Sequence, residues 1–161
     1  MSFQLRPIEQ TDNSQVAHII RTVMTEYGAV GDGFSIQDPE VDHMFEAYQD
    51  PRAIYLVLVS DGQVQGCGGI APLKGGNADT CELKKMYFLP EARGKGQGRA
   101  IMEQLEQEAV KRGFTTVYLE TIAQMEEANK LYKKAGYQTL SGNMGNTGHS
   151  ACGLFYAKRI A

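Results

Sequence analysis

The chain has 161 residues, 42% of them hydrophobic and 22% charged, with a formal net charge of −3. That length suits one domain, long enough to bury roughly two-thirds of its unfolded surface, and the mildly acidic balance argues against nucleic acid as the main partner. The longest apolar run, Ile54–Val59, is far short of a membrane span, the stretch MSFQLRPIEQTD lacks the apolar core of a signal peptide, and three scattered cysteines (Cys67, Cys81, Cys152) fit neither a disulfide framework nor a zinc site. A cytoplasmic protein without metal is therefore the expectation.

In chain order, Phe3–Ile8 reads as a first strand. Asp12 or Asn13 can cap a helix whose apolar positions, Val16, Ile19, Ile20, Val23, Met24 and Tyr27, recur with a period of 3.6. A Gly-containing loop covers 28–37. Asp38-Pro39 then reads as an N-cap and first-turn proline, opening a second helix with Val41, Met44, Phe45 and Tyr48 inward. Ile54–Val59 and Val64–Ile70 form a hairpin across Asp61-Gly62. A strand over 81–89 runs into Pro90, and a helix follows from about Gly98 to Arg112, ended by Gly113. Thr115–Thr121 is β-branched and aromatic, hence a strand. A short helix over 125–137 ends at Gly136, and a last pair of strands, near 138–140 and 151–157, brackets a Gly/Asn-rich loop. Strands and helices alternate irregularly, so the fold class is α/β (α+β), one domain over 1–161, with a partly antiparallel central sheet.

The most informative segment is Arg93-Gly94-Lys95-Gly96-Gln97-Gly98-Arg99, placed just before a helix. Glycines let the backbone approach a ligand closely, and the first N–H groups of a helix have no intrahelical acceptors and carry the positive end of its dipole. Such a loop can hold phosphate oxygens. It is not a P-loop, because no Lys is followed by Ser or Thr there, and it fails the dinucleotide fingerprint at its third glycine. It satisfies Arg/Gln-x-x-Gly-x-Gly/Ala through Arg93, Gly96 and Gly98.

With the ELKKMYF strand before it, the TTVYLET strand after it and the helix carrying Asn-x-x-Leu-Tyr, residues 80–140 resemble the acetyl-CoA core of the GNAT superfamily of acyl-CoA N-acyltransferases. The resemblance implies a mostly antiparallel mixed sheet of about seven strands and about four helices, splayed between the strands of Met86 and Tyr118. It implies acetyl-CoA as co-substrate, bound by the main chain of Met86, Tyr87 and Phe88 and by Arg93, Gly94, Lys95, Gly96, Gln97, Gly98 and Arg99, with Asn129 hydrogen-bonded to the pantetheine. It also implies direct attack by a primary amine within a ternary complex. The acceptor would be a small molecule or peptide, with no nucleic acid or membrane involved, and a homodimer is compatible with the family.

Acetyl transfer needs a base for the ammonium, an oxyanion site and help for the leaving thiolate. Glu82 stands where several family members put the base. On its residues alone it is equally a strand-edge carboxylate paired with a surface Lys. Strand alternation would put 82, 84, 86 and 88 on one face unless a bulge intervenes. Tyr132 shares a helix face with Met125, Ala128 and Ala135, which by spacing reads as core, whereas the family pattern puts it near the sulfur. A phenol, pKa about 10, is a weaker acid than a thiol, pKa about 8.5, so its role would be hydrogen-bond donation to the thiolate. Tyr27 and His149 are candidates for the acceptor pocket. A Cys152 acyl-enzyme is disfavoured, and His18 and His43 read as ordinary.

Residues 26–50 carry seven acids and no Lys or Arg, while 84–134 carry ten of the sixteen cations. Two solvated faces would explain this. So would a basic half for phosphates and an acidic half for a cationic acceptor. The functional reading is an acetyl-CoA-dependent N-acetyltransferase, and the alternative is a CoA-binding sensor or interaction module without turnover.

Overall fold

A computed structural model describes residues 2–161. Seven strands, β1 Gln4–Pro7, β2 Ile54–Ser60, β3 Gln63–Pro72, β4 Thr80–Phe88, β5 Thr116–Thr121, β6 Gln138–Leu140 and β7 Leu154–Arg159, form one sheet in the order β1-β2-β3-β4-β5-β7-β6. The helices are α1 Asn13–Glu26, α2 Met44–Ala47, α3 Gln97–Lys111 and α4 Glu126–Lys134. All neighbouring strands are antiparallel except β4 and β5. No helix among the described residues is long and apolar enough to cross a membrane.

The core is built on both sheet faces. α1 buries Val16, Ile19, Ile20 and Val23 against Tyr55 and Val57 on one face, and α3 buries Ile101, Met102 and Leu105 against Leu56 and Ile70 on the other. The alternation of β2 between the two clusters is the period-2 pattern of a strand covered on both sides. In the hairpin that follows, Asp61 (φ 53°) and Gly62 (φ 74°) are both left-handed, the backbone a two-residue type I′ turn requires.

Two departures from regular pairing make the site. β4 and β5 pair in parallel only from Thr80–Glu82 to Thr116–Tyr118. Beyond Glu82 the strands part, and the β5-facing edge of β4 is left without a partner strand. Second, β4 carries a bulge. Lys84 stands opposite Gly69 but Tyr87 stands opposite Cys67, so β4 has one residue too many, and Lys85 takes φ 51°. The buried Tyr55 hydroxyl donates to the Lys85 carbonyl at 2.6 Å and fixes this kink. The expected face of 82, 84, 86 and 88 therefore holds only as far as Lys84. Cys81 and Leu83 pack with Met86 and Phe88 toward α3, while Tyr87 packs toward α1.

The second predicted helix is shorter than its pattern. Pro39–His43 is 3-10 and only Met44–Ala47 is α-helical, although Val41, Met44 and Tyr48 are buried as expected. Asp38 makes no cap hydrogen bond to this helix, because its carboxylate is turned to Lys85 and His149. At α1, Asp12 is likewise taken by Arg6, at 2.7 and 3.1 Å, and the Asn13 side chain reaches across to accept from the Phe45 N–H.

Candidate active site

The loop between β4 and α3 opens a groove of about 380 Å³, walled by Phe88, Arg93, Gly96, Gly98 and Leu131 among others. Gly94 (φ 73°) and Gly96 (φ 76°) are left-handed, which only glycine adopts without strain. Gly98 is close to α4: a Cβ there would lie 2.8 Å from Leu131 Cδ2. Among the described residues, none of the backbone N–H groups of residues 94–99 donates to a protein acceptor. Gly94, Gly96, Gln97, Gly98 and Arg99 line the groove at the positive end of a fifteen-residue helix, an arrangement that suits phosphate oxygens. The loop's long side chains are occupied: Arg93 holds Glu26 in a two-point ion pair at 2.7 and 2.8 Å, Lys95 donates to the Glu91 carbonyl and Arg99 pairs with Glu103. Arg93 Nε also ties down the Phe88 carbonyl at 2.9 Å. An anion placed here would meet main-chain N–H groups, since these side chains are already paired.

A second, smaller cavity of about 50 Å³ lies where β4 and β5 part, lined by Glu82, Glu120, Tyr132, His149 and Cys152 among polar and apolar neighbours. Met86, Tyr87 and Met125 belong to the walls of both spaces, so they meet at the bulged strand.

Glu82 is only 5% exposed, and among the described residues its carboxylate accepts no hydrogen bond. It is not the surface-paired strand-edge acid. Burial pushes its pKa up to about 7, with Lys84 opposing the rise and Glu120 adding to it. Glu120 differs. It accepts from Tyr118 Oη and Thr147 Oγ1, each at 2.6 Å, and its oxygen lies 3.6 Å from His149 Nδ1. Burial raises its pKa, but these partners outweigh burial and hold it below the ordinary carboxylate range. His149 Nε2 meets Asp38 at 2.8 Å. Asp38, then Glu120, push the imidazole up to about 9, so it is an imidazolium at neutral pH. Asp38 also receives the buried Lys85 ammonium at 2.6 Å, which Glu40 shares at 3.0 Å. Ligand-type atoms of Glu82, Glu120 and His149 lie within 4.8 Å of one another. Both ring nitrogens of His149 face carboxylates, Nε2 that of Asp38 and Nδ1 that of Glu120.

The structure thus gathers Glu82, Tyr132 and His149 at one cavity and the 93–99 loop at the other. Tyr132 is buried, lacks a hydroxyl partner among the described residues, and has a pKa raised by burial. Two expected contacts differ. Asn129 donates to the Ile122 and Met125 carbonyls and accepts from Tyr156 Oη, so it anchors the start of α4 and does not line the groove. Tyr27 lies on the groove side beneath Arg93, away from the Glu82 cavity. Burial pushes the Cys152 thiol up to about 11, away from a thiolate nucleophile. The acids of 26–50 are mostly engaged from outside their own segment: Glu26 by Arg93, Asp38 by Lys85, Glu40 by Lys84 and Lys85, and Asp42 by Arg21. Asp38, Lys85 and Glu120 escaped the sequence reading. Asp38 mimicked a helix cap, Lys85 a strand-surface cation, and only the lone acid in the apolar run of β5 hinted at Glu120.

Residues 17–137 match the model of the acetyltransferase (GNAT) family. The chain is 41% identical over 149 residues to the uncharacterized N-acetyltransferase YjgM of Escherichia coli K12, covering 92% of this chain and 89% of that protein. Its fold superimposes on a GNAT-family acetyltransferase of Staphylococcus aureus Mu50 with a TM-score of 0.86 at 14% identity, over 99% of this chain and 100% of that one. It also superimposes on yncA of Salmonella typhimurium, determined with its cofactor acetyl-CoA, with a TM-score of 0.79 at 18% identity, over 100% and 95% of the two chains. The bulged and splayed sheet, the amide-lined loop and these relatives converge on one assignment: the chain belongs to the GNAT family and is an N-acetyltransferase.

Proposed function

We propose that the protein transfers the acetyl group of acetyl-CoA to a primary amine by direct attack in a ternary complex. The observation that carries this reading is the meeting of two spaces at the β4 bulge. An amide-lined groove suited to pyrophosphate joins a cavity holding an unpaired, buried carboxylate. CoA bound with its phosphates on the N–H groups of residues 94–99 would run its pantetheine along the unpaired edge of β4, delivering the thioester near Met86 and Tyr87. Glu82, titrating near 7, is matched to take a proton from an ammonium ion at neutral pH. The amine then attacks the carbonyl, a C–N bond forms, the C–S bond breaks and CoA leaves as thiolate, while the proton that the new amide nitrogen sheds ends on the thiolate or in solvent. Tyr132 faces that cavity with an uncommitted hydroxyl and serves as hydrogen-bond donor to the sulfur. The acceptor is an amine whose reacting end is narrow, because the cavity is small.

The test is a CoA-thiol release screen over polyamines, aminoglycosides, amino acids and peptides, followed by Glu82→Gln with the best acceptor. The reading predicts amine-dependent release and loss of its acidic pH limb in the variant. Release that no amine stimulates, or a pH profile indifferent to Glu82→Gln, overturns it.

A further inference from the structure

Glu82 and Glu120 form a carboxylate pair treated unequally by the fold. Glu120's side chain is 3% exposed, accepts from Tyr118 and Thr147 and has His149 Nδ1 at 3.6 Å. Glu82, similarly buried and within 4.8 Å, has no hydrogen-bond donor among the described residues and lines the cavity. Two neighbouring carboxylates resist ionising together, so the charge settles on the one with donors and the proton on the other. A buried acid left without a partner at the wall of a cavity is incomplete until something else supplies one.

The surrounding charges show what that something is. The charged groups lining the cavity with the pair are Lys84 and Lys85 from β4 and His149 from the loop before β7, and Asp38 and Glu40 from the segment before α2 pair with those cations. Tyr48, Tyr118, Tyr132 and Cys152 are neutral at pH 7, each held above its ordinary pKa chiefly by burial. Lys84, Lys85 and His149 are matched by Asp38, Glu40 and Glu120. The network is neutral with Glu82 protonated and lacks one cation when Glu82 is ionised. A protonated amine supplies that cation.

We propose that Glu120 is a specificity-determining and positioning residue of the acetyl transfer: its fixed negative charge beside Glu82 makes the ammonium form of the acceptor the one the site takes up. This rests on the amine-acetylation reading above. When the ammonium enters, Glu82 gives up its proton to solvent and the cavity regains neutrality. An N–H bond of the ammonium then breaks and an O–H bond to Glu82 forms, leaving the amine lone pair free to attack. Glu120 stays ionised throughout.

The experiment follows Glu82 itself by ¹³C-carboxyl NMR in the full-length protein, with benzylamine, an ammonium ion at pH 7, and aniline, a near-isostere neutral at pH 7, as probes. Glu120→Gln should lower the Glu82 midpoint by about one pH unit. Glu120→Asp, which retains the charge, should keep it near the wild-type value. Benzylamine should lower the midpoint in wild type but much less in Glu120→Gln, and aniline should leave it unmoved. A midpoint that Glu120→Gln leaves in place or raises, or equal effects of the two probes, overturns the proposal. The NMR arm needs no turnover. If the midpoints move as described while no amine stimulates thiol release, the carboxylate pair stands and the acetyl-transfer reading falls.

Discussion

Asp38 and His149, 111 residues apart in the chain, meet at 2.8 Å and join the segment before α2 to the loop before β7. The Ala151 N–H adds a second tie by donating to the Gly33 carbonyl at 3.1 Å. Together they close one side of the Glu82 cavity. The pair also sets a pH dependence. The His149 pKa is raised from 6.5 to about 9, so its stabilisation is complete below 6.5 and is lost as pH rises through 9. The Asp38 pKa falls from 3.8 to about 2, so its share is present above 3.8 and is lost as pH falls toward 2. Asp38→Asn should lower stability at pH 7 by about 2 kcal/mol, between the values for exposed and buried pairs. The deficit should shrink, though not vanish, at pH 10, where Lys85 still misses its partner. Urea melts of both proteins across this range measure it, and a deficit independent of pH would refute it.

Glu82 works against stability in a definite window. Its pKa rises from 4.5 to about 7 on folding, so between those values the native state holds the extra proton and stability falls as pH rises. Glu82→Gln removes the titration. The variant should be more stable than wild type at pH 8, by no more than about 3 kcal/mol at about 1.36 kcal/mol per unit, and show no such gain at pH 4. Thermal melts at both pH values, paired with the loss of turnover, would reveal a residue kept for chemistry at the expense of the fold. A variant less stable at pH 8 would contradict the unpaired-carboxylate picture.

Tyr132→Phe removes a hydroxyl that has no hydrogen-bond partner among the described residues while its ring stays packed near Tyr137 and Tyr156. Melting temperature and acetyl-CoA affinity should therefore hold. If the hydroxyl serves the leaving thiolate, kcat should drop by about tenfold or more, the range for one transition-state hydrogen bond. A lower melting temperature with normal kcat would assign Tyr132 to the core alone.

Gly96→Val puts a β-branched residue at φ 76° and a side chain at the mouth of the amide-lined loop. Strain of about 1–2 kcal/mol is expected, together with weakened CoA binding. In wild type, CoA or acetyl-CoA at a hundredfold excess over its dissociation constant should stabilise by about 2.7 kcal/mol, and NAD should not. Thermal-shift titrations of both proteins with both ligands decide it, and unchanged CoA affinity in Gly96→Val would remove this loop from the cofactor site.

Local rules made much of this protein legible without coordinates. The 3.6 period of α1, the Asp61-Gly62 turn and the glycine loop before α3 each depend on residues close in sequence, so pattern suffices to place them. The groove loop was identifiable because its left-handed backbone needs glycine at fixed spacing. Tertiary structure decided the rest. The bulge at Lys85 exists because Tyr55, thirty residues away, holds its carbonyl, and it reverses the inside and outside of β4 in a way alternation cannot foresee. Asp38 looks like a helix cap until Lys85 and His149 outbid the backbone amides for its carboxylate. The difference between Glu82 and Glu120, two glutamates on adjacent strands, is only partly local: Tyr118, two residues away, donates to Glu120, and the remaining contacts are distant in sequence. It arises because the fold brings Thr147 and His149 to one of them and leaves the other without a hydrogen-bond donor among the described residues, and a carboxylate's proton affinity is set by what surrounds it in space.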